Sequence, residues 1–353
     1  MRLVSPLLKH VVYPGLSRSG YLRRLATSAP AVVTYHGLVP AGYEVRDAVL
    51  DGHLVTGEAF TRQIQLLKDS YSIISPQEFL RWCEGDCELP RRSVLLTCDD
   101  GLVNTLTDML PIIQKMGVPF LFFVTSASCD EVSSMLWYEQ LYIWLQAAGR
   151  ETLLQLRQSL NLGRAPVQVQ SIWMDLMKQL SALDWHSRRK ALDQLRTRIG
   201  ISNRWDSEYS QNDALRRRFF MLNVTELKEL QRSGATIGAH SISHPMLSQM
   251  AEGDAFEEIS GSRSRLEAEL GAPVLAFALP FGNSQAVSGR EPELAKRAGF
   301  RCAFMNVEDI SAENKFAFPR VHVSLNTTVA ELDAHLAGLH QSIRGRFAAA
   351  GSA

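Results

Sequence analysis

Short apolar segments rich in valine, isoleucine and phenylalanine recur along the chain and alternate with segments of helical periodicity. The apolar segments show no regular polar alternation, which is typical of strands buried on both faces of a parallel sheet. They comprise residues 31–35, 93–97, 120–125, 236–239, 275–279 and 302–305. This alternation predicts an α/β fold with a mostly parallel sheet, open or closed into a barrel, whose functional groups gather at the carboxyl ends of the strands.

Capping signals mark several of the helices between these strands. Three helices are predicted to begin with a polar capping residue that is followed three positions later by glutamate. The capping residues are Ser75, Asn223 and Thr328. A further helix carries apolar side chains between Phe256 and Leu270 and is predicted to end at Gly271. The last helix should continue its apolar stripe as far as Ile343.

Residues 137–220 depart from this alternation because their apolar positions follow helical spacing only. We therefore predict an all-helical insertion within a barrel formed by residues 29–136 and 221–325. Residues 1–28 form an N-terminal segment, and residues 326–353 form a C-terminal helix and tail. Two roles stay open for the insertion: a lid or substrate platform, and a packing appendage.

The charge balance disfavours a nucleic acid partner. Lys and Arg together number 37, as do Asp and Glu, so no net field draws the protein toward a polyanion. The basic clusters at residues 188–190 and 216–218 are expected on solvated helix faces. A small-molecule pocket is therefore the more natural place for a partner.

Cysteine usage and the N-terminal residues bear on location. The five cysteines form an odd set without paired metal-ligand spacing, which predicts free thiols and a cytoplasmic protein. The apolar stretch before Pro14 is short and interrupted, so it predicts neither a signal peptide nor an integral membrane segment. Peripheral contact with the inner membrane through residues 3–21 stays open.

Two adjacent carboxylates, Asp99 and Asp100, directly follow the buried segment 93–97 and a single cysteine. Gly101 allows the backbone to turn there, so that both side chains can face a common centre. Adjacent carboxylates repel each other unless a cation lies between them. The triplet also occurs in ordinary turns, so a metal site needs further ligands.

Two histidines supply those ligands. His240 and His244 lie four residues apart just after the apolar segment 236–239, a spacing that would let one helical turn present both imidazoles to one ion. With Asp100 they predict a facial site for a divalent metal, expected to be Zn²⁺. Asp99 would then be an unligated carboxylate that acts as base toward a water molecule activated by the ion.

These residues resemble motifs of the polysaccharide deacetylases with the NodB homology domain, carbohydrate esterase family 4. Residues 97–101 are similar to the TFDDG motif, with Cys98 in place of phenylalanine, and residues 240–244 are similar to the HSxxH motif. Residues 277–282 are similar to the FAYPFG motif, with Leu279 in place of tyrosine. The tyrosine–histidine pair at 35–36 and the aromatic segment 135–137 also fit, so that the resemblance spans residues 31–323.

The resemblance implies a distorted (β/α) barrel and the same site residues. It implies zinc bound by Asp100, His240 and His244, with Asp99 as the catalytic base. It also implies a general acid near the C-terminal end of the barrel, for which His322 is the candidate, although its flanking residues differ from the family's LxH motif. The arginine often found in the third motif is replaced by Ala278.

Four further residues are expected to contact the substrate. They are His36, Trp137, Pro280 and Arg320. His36 or Arg320 could contact the reaction intermediate. The aromatic side chain of Trp137 could stack on a sugar ring, and packing in the core is the alternative.

The expected reaction is removal of an acetyl group from an N-acetylated saccharide or a glycan-lipid intermediate. Two alternatives stay open: a noncatalytic carbohydrate-binding relative, and an O-acetyl esterase on the same scaffold. Asp99 favours catalysis, because a purely structural metal site has no use for an unligated carboxylate. The sequence does not separate the ester from the amide.

Overall fold

The computed structural model describes residues 6–25, 29–129, 135–160, 168–283, 285–307 and 314–339. Within them, eight strands form one sheet in which every strand pair is parallel. The strands are β1 (Ala31–Tyr35), β2 (Ser72–Ile74), β3 (Ser93–Cys98), β4 (Leu121–Val124), β5 (Thr236–Ala239), β6 (Ala276–Ala278), β7 (Cys302–Phe304) and β8 (Val321–His322). Their order is β7-β6-β5-β4-β3-β1-β8, and β2 pairs with the first half of β3.

The sheet curls into a distorted barrel, as the family resemblance implied. At one end of the strand order, β8 pairs with β1 through Val321 and Val33. At the other end, Phe304 of β7 forms a parallel bridge with Phe318, which lies three residues before β8. The same chain segment therefore contacts both ends of the sheet.

All six predicted strands are present within one or two residues of the expected bounds. The sequence pattern missed β2 and β8, which have only three and two residues. Such short runs carry no detectable periodicity, so pairing with β3 and β1, rather than local pattern, makes them strands.

Helices surround the sheet and connect its strands. The α-helices are α1 (Tyr13–Arg18), α2 (Ala48–Asp51), α3 (Gly57–Ser70), α4 (Pro76–Glu84), α5 (Leu110–Met116), α6 (Trp137–Ala147), α7 (Arg150–Ser159), α8 (Val169–Ser181), α9 (Trp185–Ile199), α10 (Ser207–Gln211), α11 (Asp213–Phe219), α12 (Val224–Arg232), α13 (Glu252–Leu270), α14 (Arg290–Arg297) and α15 (Val329–Leu336). Leu8–Val12 and Thr105–Met109 are π-helical, and Leu22–Arg24, Ser126–Cys129 and Leu247–Gln249 are 3₁₀-helical.

The predicted helix starts are confirmed at all three capping residues. Ser75, Asn223 and Thr328 each accept a hydrogen bond from the backbone N–H three residues later, and the glutamate at that position bonds back. Gly271 ends α13 with a positive φ of 61°. The last helix ends at Leu336, earlier than the predicted stripe, and Ile343 lies outside the described residues.

Helices α6 to α11 lie between β4 and β5 in the chain, and the described residues from 137 to 219 contain no strand. Their apolar side chains form a separate cluster around Trp137, Leu145 and Leu176. The domain bounds proposed from the sequence remain a prediction. The described residues of this region are nevertheless helical, as predicted.

The two basic clusters do not lie wholly on solvated faces, and that expectation is wrong for Arg188 and Arg218. Both side chains are fully buried. Arg218 of α11 pairs with Asp51 of α2 at 2.7 Å and with Glu139 of α6 at 2.9 Å. A guanidinium needs such partners when it is removed from water, and sequence spacing alone does not reveal partners that are distant in the chain.

The N-terminal segment packs against the C-terminal helix. Tyr13 and Leu22 are buried together with Ala334 and Leu339. No helix among the described residues has the length and apolar character needed to cross a bilayer. None of the five cysteines forms a disulfide bond.

Candidate metal centre

The predicted site residues follow the carboxyl ends of three strands of the sheet. His36 follows β1, Asp99 and Asp100 follow β3, and His240 follows β5. Carboxyl ends of parallel strands meet at one edge of a sheet, so these side chains converge although more than 200 residues separate the first from the last. Asp99, Asp100, His240 and His244 are all at most 3% exposed.

The turn expected after Asp99 is present. Asp100 has a φ of 73°, a conformation that non-glycine residues adopt with strain, and Gly101 follows with a φ of 77°. A Cβ atom at Gly101 would lie 3.0 Å from a methyl carbon of Val124, so glycine also satisfies a close approach to β4. Strain of this kind at a buried acid is typical of functional sites.

The histidine segment is not a helical turn, and that expectation is wrong. Residues 240–246 form an irregular loop in which Ser241 and His244 have φ values of 63° and 57°. The Ser241 hydroxyl accepts a hydrogen bond from the His244 backbone N–H at 2.9 Å. Left-handed residues interrupt a right-handed helix, so loop geometry, not the i, i+4 helical spacing, brings the two imidazoles together.

Asp100, His240 and His244 form a compact cluster. One potential ligand atom from each lies within 4.8 Å of the others. The Asp100 Oδ1 atom lies 3.5 Å from His240 Nε2 and 3.3 Å from His244 Nε2. That oxygen is buried without a hydrogen bond among the described residues. A cation between the three atoms would satisfy it, so the residues fit a divalent metal.

The orientation of His240 supports the same conclusion. Its Nδ1 atom lies 2.7 Å from the carbonyl oxygen of Ala278. This carbonyl accepts a hydrogen bond from the Nδ1–H group and leaves the Nε2 lone pair free toward Asp100. The backbone of residues 277–282, which resemble the FAYPFG motif, therefore sets the tautomer that a metal ligand requires.

The electrostatics of the cluster favour charged carboxylates. Burial raises the pKa of Asp100, but the imidazoles around the carboxylate, chiefly those of His240 and His244, outweigh burial and hold that pKa well below its usual range. Burial lowers the pKa of His240, yet the Asp99 carboxylate and Asp100 raise it overall. The site thus holds an excess of negative charge that a bound cation would balance.

Asp99 is held by Arg320. The guanidinium donates two hydrogen bonds to the carboxylate, at 2.7 Å to Oδ1 and 2.5 Å to Oδ2. Burial raises the pKa of Asp99, but Arg320 and the neighbouring imidazoles of His240 and His36 together outweigh burial and lower the pKa. Arg320 is 1% exposed, so its visible partner is Asp99 rather than a substrate. Arg320 therefore supplies a guanidinium at the site, although Ala278 stands where the motif at residues 277–282 often has an arginine.

His36 and His322 lie on the other side of Asp99. His36 Nε2 is 4.0 Å from Asp99 Oδ2, and the His36 and His322 rings are 5.0 Å apart. Burial, His36 and Arg320 lower the pKa of His322 to about 3. His322 is therefore a neutral imidazole at neutral pH in the free protein.

The other two expected substrate residues pack around His244. Trp137 is 4% exposed, and its indole N–H donates to the His244 carbonyl oxygen at 3.1 Å. Pro280 is buried, and the adjacent Phe281 ring lies 4.6 Å from the His244 ring. Trp137 thus packs in the core and is not free to stack on a sugar ring, because its indole N–H is hydrogen-bonded to the histidine loop.

The sequence analysis missed a buried polar group that supports this loop. Arg188 of α9 donates to the Ser243 hydroxyl at 2.6 Å and lies 3.9 Å from Glu258 of α13. Glu258 accepts hydrogen bonds from the backbone N–H of Ser243, at 2.8 Å, and from its hydroxyl. The only signal in the sequence was the serine between the two histidines, since nothing local marks Arg188 or Glu258 as its partners.

The sequence analysis also missed His53, a further histidine near the site. The His53 ring lies 5.6 Å from the His36 ring, and His53 Nε2 is 4.0 Å from Glu139. His53 follows the short helix α2, where no motif distinguishes it from a surface histidine. It extends the row of imidazoles from Asp99 toward the helical insertion.

A parallel, curled α/β barrel carries this Asp–His–His cluster at the carboxyl edge of its strands. Comparison with known families gives one match. Residues 203–303, which include the histidine loop and the third motif, match the sequence model of the family described as polysaccharide deacetylase. This match covers part of the chain, and it agrees with the motifs that residues 240–244 and 277–282 share with that family.

Solved structures share the fold at low sequence identity. The deacetylase PplD of Streptococcus pyogenes, in complex with acetate, matches with a TM-score of 0.55 and 16% identity over 88% of this chain and 99% of that chain. IcaB from Ammonifex degensii matches with a TM-score of 0.53 and 17% identity over 88% and 98%. A de-N-acetylase from Aggregatibacter actinomycetemcomitans matches with a TM-score of 0.55 and 13% identity over 87% and 99%. A search of curated proteins finds no match.

Proposed function

We propose that this protein is a metal-dependent hydrolase that removes the acetyl group from an N-acetylated saccharide or a glycan-lipid intermediate. One observation carries the proposal. The ligand atoms of Asp100, His240 and His244 lie within 4.8 Å of one another, next to the buried carboxylate of Asp99. A metal-binding triad beside an unligated base is the arrangement that hydrolysis of an acetamide requires.

Asp100, His240 and His244 would hold the metal, and Zn²⁺ is the ion we propose. Two imidazoles and one carboxylate suit zinc, and three protein ligands leave positions open. The bound ion supplies Lewis acidity that lowers the pKa of water toward ~7 and polarises a carbonyl group. The hydrogen bond between His240 and Ala278 fixes the ligand tautomer.

Asp99 is the proposed base. Its pKa is lowered below the usual range, so the side chain is ionised and able to accept a proton at neutral pH. Arg320 fixes the orientation of the carboxylate through two hydrogen bonds. The proton taken from water would therefore reach a side chain that cannot rotate away from the cluster.

His322 is the proposed general acid toward the leaving amine. Its pKa of about 3 describes the free protein. Negative charge that develops on the attacked acetyl carbonyl would raise this pKa, so His322 would take up a proton from solvent and pass it to the leaving amine, while the proton that Asp99 accepted from water would return to solvent. An amine departs only after protonation, whereas an alcohol departs more easily, so this imidazole supports the amide over the ester. His36, 5.0 Å from His322 between centroids, is proposed to contact the intermediate.

The cellular setting is also a proposal. The lack of a disulfide among the five cysteines supports a cytoplasmic location. Leu7 and Val11 are 64% and 60% exposed, and no acidic residue precedes Glu44, which supports peripheral contact with an anionic membrane. Binding to vesicles that contain phosphatidylglycerol should be lost on changing Val11→Glu; unchanged binding argues against this contact.

Release of acetate tests the proposed function. The Zn²⁺-loaded protein is incubated with a panel of N-acetylated and O-acetylated saccharides. Wild type should release acetate from an N-acetylated member, and Asp99→Asn should lower kcat by about 10²- to 10⁴-fold, the range for loss of a general base. Asp86→Asn, which changes an exposed aspartate, is the matched control and should retain wild-type activity.

Metal content tests the ligand assignment separately. His240→Ala combined with His244→Ala should abolish stoichiometric zinc binding, whereas His186→Ala, an exposed histidine, should not. Equal rates for wild type and Asp99→Asn would remove the base assignment. Release from O-acetylated members alone would establish the esterase, and carbohydrate binding without any release would establish a noncatalytic relative.

A further inference from the structure

Two cysteines lie at the end of the barrel opposite the metal centre. Cys302 is the first residue of β7, so it lies at the amino edge of the sheet, whereas the metal centre lies at the carboxyl edge. Cys83 lies in the last turn of α4. Cys302 is fully buried and Cys83 is half-buried. The proposed hydrolysis uses neither thiol.

Helix α4 packs against β7. Phe79 of α4 belongs to the same buried cluster as Cys302 and Phe304 of β7, and the rings of Phe79 and Phe304 are 5.3 Å apart. Trp82 and Cys83, near the end of α4, pack against this cluster. The last turn of α4 and the beginning of β7 are therefore neighbours, although more than 200 residues separate them in the chain.

The residues adjacent to the two cysteines hold these segments together. Glu84 follows Cys83, Arg301 precedes Cys302, and the side chains of Glu84 and Arg301 form an ion pair at 2.7 Å. The thiols of Cys83 and Cys302 are hydrogen-bonded to each other. A disulfide forms without backbone movement only where two cysteines are already neighbours with side chains that point toward each other. This pair meets that requirement.

The surroundings of the two thiols differ in a way that suits oxidation. The hydrogen bond from the Cys302 thiol lowers the pKa of Cys83, burial opposes this effect, and the positive charge of Lys315 adds to the lowering. The same contact and burial raise the pKa of Cys302 well above its usual range. Oxidants attack the more accessible thiolate, and a second thiol beside it then resolves the product. Cys83 fits the first role and Cys302 fits the second.

Cys87 is the natural comparison, because it lies four residues after Cys83 and is half-buried in the same way. It lies beyond Gly85, whose left-handed conformation ends α4. Its thiol donates to the carbonyl oxygen of Glu78 at 3.7 Å. The thiol nearest to Cys87 in sequence is thus not the one with which Cys83 is in contact.

We propose that Cys83 and Cys302 form a reversible disulfide when the protein meets hydrogen peroxide, and that this bond staples α4 to β7. The Cys83 thiolate attacks one peroxide oxygen, the O–O bond breaks, and the leaving hydroxide takes up a proton to become water. The Cys302 sulfur then attacks the sulfenic acid on Cys83. The S–S bond forms, the S–O bond breaks, and the hydroxyl group leaves with the Cys302 proton as a second water. Two thiols are oxidised and one peroxide is reduced.

A dithiol reductant reverses the bond by thiol–disulfide exchange. The staple would close a loop of more than 200 residues, and restriction of so long a loop in the unfolded chain stabilises the folded protein. The inference does not depend on the proposed function, because the cysteine pair and the metal centre lie at opposite ends of the barrel.

Peptide mapping tests the inference. The full-length, Zn²⁺-loaded protein is treated with hydrogen peroxide, remaining thiols are alkylated, and the protein is digested with trypsin without reductant. Cleavage after Arg81 and Arg91 yields peptide 82–91, which carries Cys83 and Cys87, and cleavage after Arg301 and Lys315 yields peptide 302–315. Mass spectrometry should find these two peptides joined, and dithiothreitol should separate them.

Single substitutions identify the partners. Cys87→Ser, the matched control, should leave the cross-link between peptides 82–91 and 302–315 intact. Cys83→Ser and Cys302→Ala should each abolish it, and Cys302→Ala keeps an apolar side chain in the core so that the variant folds. Closure of a bond within peptide 82–91, or oxidation of Cys83 without any cross-link, would overturn the inference.

Thermal unfolding tests the staple. Peroxide-treated wild type and Cys87→Ser should unfold about 5 °C above their reduced forms, because the bond restricts the unfolded chain. Peroxide should not raise the unfolding temperature of Cys302→Ala. An unfolding temperature that is the same for cross-linked and reduced wild type would overturn the proposed stapling of α4 to β7. Neither measurement requires acetate release, so failure of the hydrolase assignment leaves this result unaffected.

Discussion

The ion pair between Asp99 and Arg320 controls the charge of the proposed base. Both side chains are buried, and burial alone would raise the pKa of Asp99. The guanidinium, which lies 2.5 to 2.7 Å from the carboxylate oxygens, is the largest contribution that opposes burial, and together with the neighbouring imidazoles it lowers the pKa. A lowered pKa means that ionised Asp99 stabilises the folded protein above the usual aspartate pKa of about 3.9, and that this contribution is lost as the pH falls through the folded value.

Arg320→Met should therefore shift the acid limb of the pH profile toward higher pH. Without the guanidinium, burial dominates, so Asp99 becomes protonated and inactive at a pH where the wild type is still ionised. The measurement is kcat/KM of the Zn²⁺-loaded protein between pH 4 and 8 (~0.5-unit steps). Arg320→Lys, which keeps a positive charge, should show a smaller shift. An acid limb at the same pH in wild type and Arg320→Met would exclude control of the base by Arg320.

The helical insertion contacts the histidine loop of the metal centre through three helices. Arg188 of α9 donates to the Ser243 hydroxyl, and Ser181 of α8 accepts from the Met246 backbone N–H at 3.2 Å. Trp137 of α6 adds a third contact at the His244 carbonyl. Three elements of the insertion thus hold the loop whose strained residues orient His244.

Arg188→Met should weaken zinc binding by about 10- to 100-fold, the usual cost of removing a group that orients a metal ligand. Competition with a chromophoric chelator measures this affinity without reference to activity. Arg198→Met, on an exposed face of the same helix, is the control and should bind zinc as the wild type does. Arg188→Lys should restore part of the affinity. If Arg188→Met left the zinc affinity unchanged, the histidine loop would keep its geometry without the contact from Arg188.

At the scale of the whole molecule, one buried ionic group joins the insertion to the barrel. Arg218 of α11 bonds both Asp51 of α2 and Glu139 of α6, and all three side chains are at most 1% exposed. It also donates to the Leu50 carbonyl oxygen at 2.6 Å. Removing one member of such a group leaves the others charged and buried, which costs more than the group itself contributes.

Arg218→Met should lower the free energy of unfolding by about 3–5 kcal/mol, because Asp51 and Glu139 lose their counter-charge. Urea denaturation followed by circular dichroism measures the change. Arg62→Met, which breaks an exposed pair with Glu58, should cost no more than about 0.5 kcal/mol. Adding Asp51→Asn and Glu139→Gln to Arg218→Met should recover part of the loss. A cost for Arg218→Met as small as that for Arg62→Met would contradict this account.

Local patterns were sufficient for most elements and for the identity of the site. Strand runs of four or more apolar residues and the capping pairs at Ser75, Asn223 and Thr328 were predictable because their causes lie within a few residues of one another. The convergence of Asp100 with His240 followed from their positions after parallel strands. β2 and β8 were not predictable, since strand pairing alone defines them.

The sequence by itself determined which functional groups follow which strands: two carboxylates after one strand, two histidines after another, and a glycine where the backbone must turn. Only the tertiary structure decided which groups touch. The tertiary structure pairs Arg320 with Asp99. It places the two histidines on an irregular loop with left-handed residues, not on a helical turn. It also buries Arg188 and Arg218, which the sequence suggested were solvated. The physical reason is that the charge and burial of a side chain depend on partners that are distant in the chain, whereas strand, helix and turn preferences depend on near neighbours.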